Sequence, residues 1–68
     1  MDNELILRNK LQVIRKQKKL SQEELANMVG TTRQTIISIE KGIFNPSAKL
    51  ALLLTVALDT KFEDIFYF

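Results

Sequence analysis

Two short helices separated by a tight turn are the feature that most constrains what this chain can fold into. Ser21 and Glu24 form a capping box, in which the serine oxygen accepts a hydrogen bond from a free amide and the glutamate reaches back to the serine amide. The pattern predicts a helix that begins at Ser21 and ends at Gly30, because glycine adopts the left-handed backbone conformation without strain.

A second helix follows directly after this turn. Thr31 or Thr32 caps it, and it continues through Ile36 and Ile39 at helical spacing before it stops at Gly42. Two short helices joined by a turn of about three residues are typical of a helix-turn-helix.

The segment before these helices is predicted to contain a brief strand and another helix. Residues 4–8 are largely apolar and tolerate β structure, and Asn9 with Gln12 forms an N-cap pattern. We expect a strand over residues 4–8 and a helix over residues 9–18. A helix that begins at Asn3 is the alternative.

A turn at Asn45, Pro46 and Ser47 separates the helix-turn-helix from the C-terminal part of the chain. Pro46 cannot continue a helix, and Ser47 is suited to cap a fourth helix that runs to Leu58. Residues 62–66 indicate a single closing turn of helix. The expected fold class is therefore all-α, a five-helix bundle that contains a helix-turn-helix.

The whole chain is expected to form a single domain, residues 1–68. Residues 67–68 are apolar and are expected to pair with residues 5–7, which would extend the bundle by a small antiparallel sheet formed from the two ends. The domain is expected to divide into an N-terminal strand or arm, the helix-turn-helix and a dimerisation region, at residues 1–8, 21–41 and 47–68.

The chain of 68 residues contains no cysteine and no histidine. Disulfides and the usual structural zinc site are therefore excluded, and packing has to stabilise the domain. The sequence also has no glycine-rich phosphate loop and no cluster of carboxylates, so we expect no enzyme activity, no cofactor and no small-molecule ligand. Because no apolar run is long enough to span a bilayer and residues 1–10 do not have the order of a signal peptide, we expect a cytoplasmic protein without membrane contact.

The basic residues are concentrated in the first third of the chain. Residues 1–20 carry six basic and two acidic side chains, whereas the remaining 48 residues carry four basic and six acidic ones. A polyanion partner explains this distribution, and so does the ordinary role of lysine in keeping a small domain soluble. The charge pattern alone does not separate the two explanations.

Four stretches of the chain together resemble the Xre and phage repressor/Cro helix-turn-helix family: residues 20–26 (LSQEELA), 29–36 (VGTTRQTI), 39–42 (IEKG) and 45–47 (NPS). The resemblance covers about residues 9–66 and is greatest to the small dimeric regulators of the cytolysin-repressor type. It implies a repressor-like bundle of five helices with a small antiparallel sheet, and a role in binding double-stranded DNA as a transcriptional regulator.

The start of the second helix of the motif carries the residues expected to read DNA sequence. The major groove is about 12 Å wide and admits one helix, whose N-terminal side chains reach the base edges. Arg33 and Gln34 lie in the first turn, and Ser38 lies on the same face as Gln34. The family's base-reading positions fall on these three residues. Its phosphate-contacting positions are matched by Gln22, Thr35 and Asn45, and we expect Thr32 and Lys41 to contact phosphates as well.

Arg15 and Glu40 match the positions at which the family forms a partly buried ion pair between its first and third helices. The resemblance therefore implies that both side chains are structural and that neither contacts DNA.

Helix four is unusually apolar, because Leu50, Leu53 and Val56 recur on the side that is expected to be polar. Such a helix has to be covered on all sides. We expect a symmetric homodimer that buries six residues: Leu50, Leu53, Val56, Phe62, Phe66 and Phe68. The alternative is that the terminal sheet covers this surface within one chain.

A dimer of this kind would present two recognition helices to successive major grooves, and the operator would be palindromic. We expect regulation by occupancy of the operator, most simply repression. The strongest rival function is that of an antitoxin, since the apolar face of helix four would serve a toxin partner as well as a second copy of the chain.

Overall fold

Five helices and one pair of short strands account for the regular structure between residues 5 and 68, the part of the chain that the computed structural model describes. The all-α fold with a small terminal sheet is as expected from the sequence. The elements in chain order are β1 (Arg8–Asn9), α1 (Leu11–Gln17), α2 (Gln22–Val29), α3 (Arg33–Glu40), α4 (Ala48–Leu58), α5 (Phe62–Ile65) and β2 (Phe66–Tyr67).

The helix that begins the motif has the ends predicted from its sequence. The Ser21 Oγ accepts from the Glu24 amide at 2.9 Å, and the Ser21 amide donates to the Glu24 Oε1 at 2.8 Å, which completes the capping box of α2. Gly30 ends the helix with a φ of 74°. Both signals are local, so they do not depend on the rest of the fold.

Hydroxyl caps also begin the next two helices. Of the two threonines that were candidates, Thr32 is the cap of α3, and its Oγ1 accepts from the Thr35 amide at 3.2 Å. The Ser47 Oγ accepts from the Leu50 amide at 3.1 Å at the start of α4, as predicted.

The predicted start of helix one is wrong by one residue. Lys10 is the N-cap of α1, whereas Asn9 belongs to β1. Asn9 nevertheless supports the helix, because its Oδ1 accepts from the Leu11 amide at 3.1 Å. The alternative start at Asn3 lies outside the described residues, and residues 5–7 are not helical.

The terminal sheet exists, but its register differs from the predicted one. Arg8 pairs with Tyr67 and Asn9 pairs with Phe66 in an antiparallel arrangement, so residues 5–7 take no part. The predicted strand over residues 4–8 is therefore wrong except at its end, and residue 4 lies outside the described part of the chain. The register follows from burial: Phe66 is 3% exposed, and its place in the core brings β2 against the residues directly before α1.

The core lies where α2, α3 and α4 meet, and it is closed by α1 on one side and α5 with β2 on the other. Its members are apolar residues at helical spacing, as the amphipathic pattern predicts. They are Leu11, Leu25, Ala26, Val29, Ile36, Ile39, Ala51, Leu54, Leu58, Ile65 and Phe66.

Candidate nucleic-acid interface

The first turn of α3 projects from the surface of the domain. Ile36 and Ile39 are completely buried on the inner side of α3, and this orients the opposite side outward. Arg33 and Gln34 are exposed there, and Ser38 is half-buried one turn further on. The Gln34 Nε2 lies 3.4 Å from the Ser38 Oγ, so the two side chains expected to read bases are neighbours on one face.

Polar residues surround this face at both ends of α3. The hydroxyls of Thr32 and Thr35 lie 3.0 Å apart at its N-terminus. Lys41, at its C-terminus, and Asn45, in the loop that follows, are exposed. The structure therefore places four of the expected phosphate-contacting residues on α3 and its flanking segments.

Gln22 differs from the other expected phosphate contacts. Its side chain is half-buried, and the Nε2 donates to the Glu40 Oε1 at 3.1 Å. A side chain held in this way contributes less to a phosphate contact than a free one. Its backbone amide lies at the first position of α2, where no partner within the helix exists, and it is suited to an anion.

A nearly buried ion pair connects α1 to the end of α3. The Arg15 Nε lies 2.6 Å from the Glu40 Oε2, and the side chains of the two residues are 8% and 3% exposed. The Arg15 Nη2 donates to the Glu40 Oε1 at 3.2 Å, and the Nη1 donates to the Leu20 carbonyl at 2.9 Å. These contacts hold α1, α2 and α3 in one arrangement, and neither charge is available to DNA.

The loop after α3 folds back onto the helix. The amides of Ile43 and Phe44 both donate to the Ser38 carbonyl, at 2.9 Å and 3.2 Å. Phe44 is thereby held beside the exposed face of α3 although it is 46% exposed. Sequence reasoning missed this residue. The feature that could have indicated it is an aromatic side chain in a loop that is otherwise expected to be polar.

The outer side of α4 is apolar and uncovered. Val56 is 76% exposed and Leu53 is 37% exposed, so the terminal sheet does not cover them within the chain. Leu50 packs partly against the core. Leu52, which sequence reasoning left out, is 58% exposed and adds to this surface because it lies one turn before Val56.

The aromatic residues near the C-terminus do not all lie on this surface. Phe62 and Phe68 are 45% and 69% exposed. The expectation that Phe66 lies in the dimer interface is wrong, because this residue is buried in the core of its own chain. The ring of Phe66 packs against the exposed ring of Phe62, with 5.2 Å between the two ring centroids.

Metal-binding groups and membrane-spanning helices are both absent from the described residues. Within residues 5–68, no three acidic side chains lie together in an arrangement that could hold a metal ion. Over the same residues, every helix is too short to cross a membrane.

Comparison with protein families gives a match to the family described as Helix-turn-helix over residues 11–65. An HTH-type transcriptional regulator of Methanocaldococcus jannaschii is 47% identical over 62 residues, which cover 91% of this chain and 94% of that protein. The HTH-type transcriptional regulator YgzD of Bacillus subtilis is 44% identical over 61 residues, covering 90% and 92% of the two chains. These relatives are regulators and not enzymes, in agreement with the expectation from the sequence.

Solved structures show the same fold. The restriction-modification controller protein C.AhdI of Aeromonas hydrophila superimposes with a TM-score of 0.75 at 37% identity, over 79% of this chain and 78% of that one. A protein of Bacteroides fragilis superimposes with a TM-score of 0.82 at 18% identity, over 90% and 98% of the chains. The second likeness concerns the fold alone.

Proposed function

Because this chain belongs to the Xre/Cro-like helix-turn-helix family of DNA-binding transcriptional regulators, we propose that it represses transcription as a homodimer bound to a palindromic operator. The observation that carries the proposal is the exposed first turn of α3. Arg33 and Gln34 extend from it beside Ser38, while Ile36 and Ile39 anchor the helix from below.

The chemistry of these side chains matches the edges of base pairs in the major groove. Arg33 is able to pair with both acceptors of guanine, and Gln34 with the donor and acceptor of adenine. Ser38 supplies a hydroxyl that donates or accepts, on the same face as Gln34. We assign base reading to these three residues.

Phosphate contacts position the helix in the groove without reading sequence. We assign them to the polar residues around α3, namely Thr32, Thr35, Lys41 and Asn45, and to the backbone amide of Gln22. Lys41 adds a charge that attracts the duplex from a distance.

The apolar side of α4 supports the homodimer. An uncovered apolar surface of this kind is typical of a protein contact. A second copy of the same chain, related by two-fold symmetry, would cover it with the identical surface of its own α4. Leu53 and Val56 supply its exposed residues and Leu52 extends it, and we assign the exposed Phe62 and Phe68 to the same interface. Two recognition helices related in this way enter major grooves about 34 Å apart, and the operator is palindromic for that reason.

Selection of random duplexes by the purified protein, followed by sequencing, tests the base contacts. We expect Gln34→Ala to lose about 1–3 kcal/mol of discrimination at one base pair of each half-site, whereas Asn45→Ala weakens binding to all sequences alike. Gln17→Ala removes an exposed glutamine from α1 and is the matched control. If Gln34→Ala selected the same bases with unchanged discrimination, the assignment of Gln34 would be wrong.

Light scattering coupled to size-exclusion chromatography tests the homodimer. Val56→Lys places a charge on the apolar side of α4, and we expect it to yield monomers that bind the operator far more weakly. Val13→Lys changes an apolar residue that is 54% exposed on α1, and we expect it to remain dimeric. A monomeric wild-type protein would contradict the homodimer and would favour a different protein as the partner of α4.

A further inference from the structure

Phe44 occupies an unusual place for an aromatic residue. It is 46% exposed, and the hydrogen bond that its backbone amide donates to the Ser38 carbonyl keeps the residue next to the side of α3 that carries Gln34. A free loop could turn such a ring inward, but here the backbone is held against the end of the recognition helix. The ring therefore belongs to the surface that faces DNA in the proposed function.

A notch of about 230 Å³ opens between this ring and α3. Its walls are formed by Thr32, Gln34, Thr35, Ser38 and Phe44. All five are uncharged, so the notch has no side-chain charge with which to attract a phosphate.

The C5 methyl of thymine is the apolar group that the major groove presents, and phenylalanine is one of the side chains that contact it. An adenine that is read by Gln34 is paired with a thymine. The major groove at this A·T pair, or at this pair and an adjacent A·T pair, therefore presents the polar edge of adenine beside a thymine methyl group. The notch has the matching chemistry, because Gln34 and the apolar ring of Phe44 both line it.

We propose that Phe44 is a specificity-determining residue that recognises a thymine in each half-site by contact with its C5 methyl group. The inference rests on the proposed function, because it requires α3 to lie in the major groove. It adds to that function a base preference that hydrogen bonding by Arg33, Gln34 and Ser38 does not supply.

Replacement of each operator thymine in turn by deoxyuridine removes the methyl group and leaves every hydrogen-bonding group in place. On the operator obtained by selection, we expect one thymine in each half-site at which this replacement weakens wild-type binding about fourfold, the effect of burying one methyl group. With Phe44→Ala the same replacement should have no effect, while Phe44→Leu should retain most of it.

Ile43→Ala is the matched control, because Ile43 is 75% exposed in the same loop but does not line the notch. This variant should respond to deoxyuridine as the wild type does. Placing 5-methylcytosine at the sensitive position, opposite guanine, tests whether the methyl group alone is recognised; we expect partial recovery relative to unmethylated cytosine in the wild type and none in Phe44→Ala.

The outcomes separate this inference from the proposed function. A wild-type protein without sequence preference would refute the function itself. A wild-type protein that selects an operator but tolerates deoxyuridine at every thymine, or a Phe44→Ala variant with unchanged sensitivity, would overturn the role of Phe44 and leave the function standing. Because the ring is half exposed, both Phe44 variants should keep the thermal stability of the wild type within a few degrees, which circular dichroism checks.

Discussion

Glu40→Ala removes a single carboxylate, but it should lower the free energy of unfolding of this domain by several kcal/mol. The Glu40 carboxylate accepts three hydrogen bonds, from the Nε and Nη2 of Arg15 and from the Nε2 of Gln22. Its removal leaves the Arg15 guanidinium with a side chain that is 8% exposed and with the Leu20 carbonyl as its one remaining partner in the described structure. The variant therefore retains a buried charge without its counter-charge.

The size of the effect follows from the cost of that unpaired charge. Removal of one partner of a buried ion pair lowers the free energy of unfolding by about 3–5 kcal/mol. Natural domains are stable by about 5–15 kcal/mol, and one as short as this lies near the lower limit. With a urea dependence of about 1 kcal/mol per molar for a small domain, the midpoint should fall by about 3 M or more.

Urea unfolding followed by far-ultraviolet circular dichroism measures this change. Glu63→Ala is the control, because it removes an exposed carboxylate from the first turn of α5 and should alter stability by less than about 1 kcal/mol. In the double variant Arg15→Met with Glu40→Met, both charges are absent, and most of the loss should be recovered. A Glu40→Ala midpoint within about 0.5 M of the Glu63→Ala midpoint would refute the reasoning.

Three pairs of substitutions test the elements around the motif, each by the same urea titration. Ser21→Ala removes the side-chain half of the capping box and should cost about 1 kcal/mol, whereas Ser21→Gly should cost only a few tenths. Gly30→Ala should cost about 1–2 kcal/mol through the backbone φ of 74° alone, since nothing lies within 4 Å of the added Cβ, and Gly30→Asn should be milder because asparagine adopts the left-handed conformation more readily. Leu54→Ala should cost about 2–5 kcal/mol because the side chain is completely buried, and an equal loss in the exposed Leu52→Ala would contradict the assigned packing.

Local signals made most of the fold predictable. A serine followed by a glutamate one turn later, a glycine at a helix end or a proline before a serine restricts the backbone within a few residues, and α2, α3 and α4 have the expected ends for this reason. The register of the terminal sheet depends instead on where the Phe66 ring is buried. That is a property of contacts between distant elements, and the continuous apolar runs near the termini do not encode it.

The same distinction applies to the candidate interface. The outward side of α3 was predictable, since Ile36 and Ile39 mark the inner side at helical spacing. The contact between Gln22 and Glu40 joins two helices across the domain, and the position of Phe44 depends on hydrogen bonds to the Ser38 carbonyl. The spacing of residues in the sequence does not predict either contact, so both were found only in the three-dimensional structure.

The pairing of β1 with β2 affects the order in which the domain assembles. Arg8 and Tyr67 lie at nearly opposite ends of the chain, and the entropy lost when a loop closes increases with the number of residues in it. Helices α2 and α3 are neighbours in sequence, so they meet after closing a far shorter loop. We therefore expect the helix-turn-helix to form early on the folding pathway, with the terminal strands joining late, after α2 and α3 are already packed together.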